Sequence, residues 1–112
     1  MAAVANVRVV CRVRPQNKIE IRNKGIPCVT LEDGGANIKI GNDDPHTFTF
    51  DACFGMDSTQ TQVYEFAAAP TLEEVMKGFN ATIFAYGQTG SGKTWTMEGG
   101  VEDRGVTYRA LM

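Results

Sequence analysis

The sequence predicts an α/β fold, a central mixed sheet flanked by helices with a small antiparallel β lobe beside it. Three observations predict it. Short stretches of alternating apolar and polar residues fill the first half of the chain. Apolar residues then recur at helical spacing between Ala68 and Phe79. Last, a mainly apolar run without alternation, Ala81 to Tyr86, leads into a glycine-rich loop at residues 87–94, where a helix can open.

The elements follow in order. Val7, Val9, Cys11 and Val13 alternate with Arg8, Val10, Arg12 and Arg14, a period of two that predicts a strand with one apolar and one mainly basic face. Pro15 stops it. Residues 16–25 read as a polar loop. Val29 and Leu31 alternate, Asp33-Gly34-Gly35 signals a hairpin turn, and Ile38 and Ile40 answer on the far side. Asn42 to Pro45 is another turn, and Thr47 to Phe54 alternates with Phe48, Phe50 and Phe54 on one face. This middle section reads as short antiparallel strands.

Asp57-Ser58-Thr59 supplies a cap for a helical start. Ala68, Leu72, Val75, Met76 and Phe79 form one apolar stripe, with Pro70 predicting a kink or a new first turn and Gly78 an end. Ala81 to Tyr86 lacks alternation, as a central parallel strand covered on both faces would. Gly99 to Gly105 reads as a surface loop, and helix resumes from Val106 to Met112.

Composition sets wide bounds. A chain of 112 residues suffices for one domain and one core. The net charge of −2 hides an uneven distribution: Arg8, Arg12, Arg14, Lys18, Arg22 and Lys24 crowd the N-terminal part, with Glu20 the only acid among them. Such a strand suits phosphates, nucleic acid or an acidic protein surface, and equally a solvated polar face. Cys11, Cys28 and Cys53 form no C-x-x-C pair and His46 is the only histidine, which argues against a closed zinc site and for reduced, mostly buried thiols. No apolar run approaches the roughly 18 residues of a membrane span, and Met1 to Ala5 lacks the pattern of a secretion signal.

The most informative segment is Gly87-Gln88-Thr89-Gly90-Ser91-Gly92-Lys93-Thr94, which satisfies G-x-x-x-x-G-K-S/T at every fixed position. Glycines let backbone N–H groups turn inward and approach phosphate oxygens. A helix opening near Lys93 points its positive end the same way. Lys93 supplies a point charge for the β- and γ-phosphates and Thr94 a hydroxyl for Mg²⁺. The segment predicts a nucleotide triphosphate with its magnesium ion, on a phosphate-loop NTPase type of fold.

The flanks narrow this. Asn80 to Gly99, with Phe84-Ala85-Tyr86-Gly87-Gln88-Thr89 before the loop and Thr96-Met97-Glu98-Gly99 after it, resembles the phosphate-loop region of kinesin motor domains. Val10 to Pro15 resembles that family's first strand, Phe50 to Gly55 the strand before its first long helix, and Gln62 to Asn80 that helix. The resemblance is weakest at 16–46 and 99–112, where Arg104-Gly105-Val106-Thr107-Tyr108-Arg109 departs from the family's common Gly-Ile-Ile-Pro-Arg.

The resemblance implies that residues 1–112 are the N-terminal part of a kinesin motor domain, an ATP-binding part of a motor that couples hydrolysis to movement along microtubules. It implies ATP and Mg²⁺ as cofactors, with Arg12, Arg14 and Pro15 lining the adenine side and Tyr64 packing on the base. Lys93 and Thr94 would carry the catalytic roles and Thr94 the metal. It also implies a cytoplasmic, cytoskeletal setting, no nucleic-acid partner, no membrane insertion, and dimerisation through a coiled coil not contained in these residues. The family's later N-x-x-S-S-R and D-x-x-G-S-E segments do not occur in the 112 residues. Two alternatives stand beside this reading, a non-catalytic nucleotide-binding or interaction protein and a phosphate-loop ATPase unrelated to microtubules. By themselves Tyr64 reads as a half-buried helix residue, Trp95 as a core residue or a base contact, Glu98 as a solvated helix residue and Asp51 as a strand end.

Overall fold

The computed structural model describes residues 7–26, 28–32 and 35–111. The expectations for Met1 to Ala5, for the Asp33-Gly34 turn and for the last helical residue Met112 lie outside them. The chain forms two compact units, 1–57 and 58–112.

The first unit holds two small sheets. Strand β1 (Val10–Arg12) pairs in parallel with β5 (Ala52–Phe54), setting Cys11 opposite Cys53. Strands β2 (Val29–Leu31), β3 (Asn37–Ile40) and β4 (His46–Thr49) make an antiparallel meander. The meander is the expected β lobe, with Leu31 opposite Ile38 and Ile38 opposite Phe48. Ile38 is 2% exposed and anchors this unit's core with Cys53. Residues 47–54 do not form one strand. The run breaks at Phe50-Asp51, so that β4 and β5 serve different sheets. Asp51 explains the break: its carboxylate accepts the Val9 N–H at 2.7 Å, and its own N–H donates to the Val9 carbonyl at 2.9 Å. It is the strand-end residue expected, fixing the first rung of the parallel pair.

The loop expected over 16–25 contains a helix, α1 (Lys18–Arg22). Its origin is a capping box: the Asn17 side chain accepts the Glu20 N–H at 2.8 Å while the Glu20 carboxylate accepts the Asn17 N–H at 2.9 Å. Arg14 locks the same carboxylate with two bonds of 2.7 and 2.8 Å. The Arg14 bonds, then the Asn17 N–H, hold the Glu20 carboxyl down at about 2 against an ordinary 4.5. Because the folded value lies below the unfolded one, the stabilisation Glu20 provides is complete above pH 4.5 and is lost as pH falls through about 2. A carboxyl-detected NMR titration should therefore find the Glu20 midpoint near 2, and Arg14→Ala should raise it. A midpoint near the ordinary value in the parent chain would contradict the paired geometry.

The thiols differ from the expectation in one respect. Cys53 is buried and Cys11 half-buried, but Cys28 is exposed. Burial pushes the Cys53 thiol up, and burial followed by the neighbouring Cys53 does the same to Cys11.

The second unit is helical. Helix α2 (Gln60–Ala67) starts at the Thr59 cap, where Thr59 and Gln62 form a second capping box. It breaks at Ala68, and α3 (Ala69–Met76) restarts with Pro70 in its first turn, as the sequence predicts. Gly78, at φ 103°, ends it. Helix α4 (Lys93–Met97) follows the glycine-rich loop, and α5 (Val106–Leu111) closes the unit. Val63, Ala68 and Val106 are buried. Part of the expected stripe (Ala68, Leu72 and Val75) faces an open apolar groove of about 290 Å³ that Ile83 and Met97 also line. Met76 and Phe79 do not join it and are 81% and 62% exposed.

The central strand expected at 81–86 is not formed. Residues 81–88 carry no regular secondary structure, and no strand among the described residues pairs with them. A strand exists only as a member of a ladder, and a run suited to burial on both faces cannot become one without neighbours. Phe84 and Tyr86 are accordingly 80% and 95% exposed.

Candidate functional site

The glycine-rich loop is built by close contacts that only glycine permits. A Cβ on Gly87 would run into the Ser91 Oγ and come within 3.2 Å of the Ser91 Cβ. Gly90 and Gly92 take φ 85° and 104°, left-handed values that turn the chain sharply into α4. The Ser91 N–H donates to the Gln88 carbonyl at 3.1 Å and closes the turn. Lys93 and Thr94 then occupy the first two positions of α4.

Thr89, Gly90, Gly92, Lys93, Thr94 and Trp95 line an open depression of about 460 Å³. Two features give the loop chemical character. Lys93 is half-buried, and among the described residues it forms no salt bridge. The Ser91 hydroxyl is buried without a hydrogen-bond partner, the only such side-chain atom among the described residues. Leaving a buried hydroxyl unpaired costs about 1–3 kcal/mol, and this one lies within the loop against Gly87, outside the residues lining the depression. An unpaired cation beside it fits a ligand of negative charge. The donor set thus suits a magnesium-bound polyphosphate.

The structure brings Thr89, Gly90, Gly92, Lys93 and Thr94 together on one surface, with Gly87, Gln88 and Ser91 outside its lining. Gln88 and Thr89 are exposed, and Trp95, 45% exposed, completes the lining. Tyr64 lies half-buried on α2 of the same unit, outside the residues lining the depression. Arg12, Arg14 and Pro15 belong to the other unit, Arg12 at the end of β1 and Arg14 on Glu20. Glu98 is exposed at the C-terminal end of α4, as expected of a solvated residue. No cluster of His, Cys, Asp and Glu suited to a metal occurs among the described residues, so Thr94 stands as the metal-side donor by motif alone.

Two supports of α4 were not apparent in the sequence. Gln60, 3% exposed, donates its side-chain N–H to the Trp95 carbonyl at 2.7 Å. On the other side, the 99–105 loop is fastened to α5 by Arg109, whose guanidinium donates to the Arg104 carbonyl at 2.6 Å and to Asp103 at 3.1 Å. Arg104 lies over the Tyr108 ring, 4.4 Å from its centre.

Paired mixed strands, capped helices and a G-x-x-x-x-G-K-T loop turning into a helix define a phosphate-loop protein of the α/β class. Comparison with known proteins is more specific. The family model of the kinesin motor domain matches residues 12–112, and the chain belongs to that family. Among curated relatives it is 45% identical over 97 residues to kinesin-related protein 3 of Dictyostelium discoideum, covering 86% of this chain and 8% of that protein. It is 48% identical over 103 residues to kinesin-like protein klp-19 of Caenorhabditis elegans, covering 92% of this chain and 9% of that protein. The kinesin heavy chain of Neurospora crassa matches 99% of this chain at 40% identity, over 12% of its own length. A fast kinesin, whose solved structure was described for its implications for ATPase mechanism and interactions with microtubules, matches with a TM-score of 0.87 at 39% identity. That match covers 94% of this chain and 31% of the fast kinesin. The chain spans about a tenth of the length of the curated relatives it matches.

Proposed function

We propose that this chain is the ATP-binding part of a microtubule motor, in which hydrolysis is coupled to movement along the filament. The observation that carries the reading is the half-buried Lys93, without a salt bridge among the described residues, in a depression it lines with Thr89, Gly90, Gly92 and Thr94 of the G-x-x-x-x-G-K-T loop, within a chain of the kinesin motor family. Residues 87–94 hold the polyphosphate, Lys93 bears on its terminal phosphates, and Thr94 ligates Mg²⁺. The metal supplies charge neutralisation at the phosphate being transferred.

Arg12, Arg14 and Pro15 would form the adenine side, with Tyr64 against the base. The Glu20 clamp supports this for Arg14 by fixing where its guanidinium sits beside Pro15, whose carbonyl also accepts from it at 2.9 Å. Motor residence on the cytoskeleton, microtubules as partner and dimerisation through a coiled coil outside these residues belong to the same reading. No helix among the described residues is long and apolar enough to cross a membrane.

Phosphoryl transfer depends on groups that orient water and close around the γ-phosphate. The 112 residues contain neither N-x-x-S-S-R nor D-x-x-G-S-E. The chain by itself should bind MgATP and release phosphate at or near the uncatalysed rate, with or without microtubules. Phosphate release that microtubules accelerate in the isolated chain would overturn this division of labour. Absence of MgATP binding would overturn the nucleotide reading itself.

A further inference from the structure

Helix α4 carries Lys93 and Thr94, yet it has only five residues. A helix this short has no stability of its own, because nucleation is unfavourable and few bonds follow it. Its orientation must come from what holds it. The link nearest the ligand-bearing turn is the 2.7 Å bond from the Gln60 amide to the Trp95 carbonyl, one residue beyond Thr94.

We infer that Gln60 is a positioning residue of the phosphate loop, setting Lys93 and Thr94 through the main chain of Trp95. Three observations support it. Gln60 is the only buried polar or charged residue among those described, so its side chain is placed there against the cost of desolvation. It is the first residue of α2, whose start is fixed independently by the reciprocal Thr59–Gln62 box. It is therefore a rigid point to bond from. Its acceptor is a main-chain carbonyl within α4 itself, so displacement of the amide moves the backbone that carries Lys93 and Thr94. The ligand named in the test rests on the proposed nucleotide reading; the positioning role does not.

The test uses the 112-residue chain with Gln60→Met, which keeps the volume and removes the donor, and Gln60→Glu, which keeps the shape. Protection of the backbone amides at 92–99 against hydrogen exchange is read first, without ligand. Gln60→Met should lose protection there about tenfold while amides of α2 and α5 keep theirs. Gln60→Glu should behave like Gln60→Met when ionised and regain parental protection once acidification protonates the carboxyl, which then donates to the Trp95 carbonyl. A side chain that only fills space would show no such recovery. With MgATP added, affinity should fall about tenfold in Gln60→Met and follow the same recovery in Gln60→Glu. Parental protection at 92–99 in Gln60→Met, loss spread evenly over the whole unit, or an unresponsive Gln60→Glu would each overturn the positioning role. A parent chain that binds no MgATP while the exchange pattern holds would instead defeat the nucleotide reading and leave the role of Gln60 standing.

Discussion

Lys93→Ala should weaken MgATP binding about a hundredfold, with the melting temperature unchanged. The size follows from the type of contact, since a hydrogen bond to a charged partner contributes about 1.5–3 kcal/mol, or roughly 10- to 150-fold in affinity. The upper part of that range applies because Lys93 has no salt-bridge partner among the described residues, so nothing else competes for its charge. The same fact keeps the fold indifferent to its removal. Lys93→Arg should recover only part of the loss, as a planar guanidinium does not replace a compact ammonium in a tight loop. Calorimetric titration of the parent and both variants with MgATP measures this. An affinity within threefold of the parent in Lys93→Ala would remove the loop from the binding site.

Gly105→Ala should be strongly damaging to the second unit, lowering the melting temperature by on the order of 10 °C for an overpacking cost of up to about 3 kcal/mol. Gly105 is buried, and its N–H donates to the Glu98 carbonyl at 2.9 Å. An added Cβ would strike the Thr96 carbonyl oxygen and lie 2.7 and 2.8 Å from the Met97 carbonyl carbon and oxygen. All are main-chain atoms of α4, which cannot swing aside as a side-chain tip would. Gly78→Ala is the internal contrast. It introduces a side chain at φ 103° but meets no atom within 4 Å, so its cost should stay near the 1–2 kcal/mol of a left-handed residue. Thermal melts of the two variants should differ clearly. Equal melting temperatures would mean that the 99–105 loop yields and is not packed onto α4.

The sequence revealed what is encoded by near neighbours. The β2–β3–β4 meander followed from alternation and turn residues, and the α2–α3 break from Pro70. The loop at 87–94 was readable because its glycines, Lys93 and Thr94 are consecutive. Helix α1 was also encoded locally, in Asn17 and Glu20, but the polar composition around them obscured the box. Other features depend on distant partners. The parallel pairing of β1 with β5 joins Cys11 to Cys53 across most of the first unit. Gln60 looks like any polar helix residue until its partner, 35 positions away, is known. The run at 81–86 shows the limit most plainly. Its apolar residues specify a preference for burial between neighbours but cannot specify the neighbours.

Trp95 gives the chain an optical property that needs no label. It is the only tryptophan, so all indole emission comes from one ring at the rim of the depression beside the glycine-rich loop. Gly100 lies against that ring, with room for no more than a tight 3.3 Å approach if a Cβ were added. The emission therefore reports two surroundings at once, solvent on the side of the depression and the backbone of the 99–105 loop on the other. Quenching by iodide and by acrylamide, one charged and one neutral, would separate them. The anion would also sense the field of Lys93, so a single ring doubles as an electrostatic gauge of the loop.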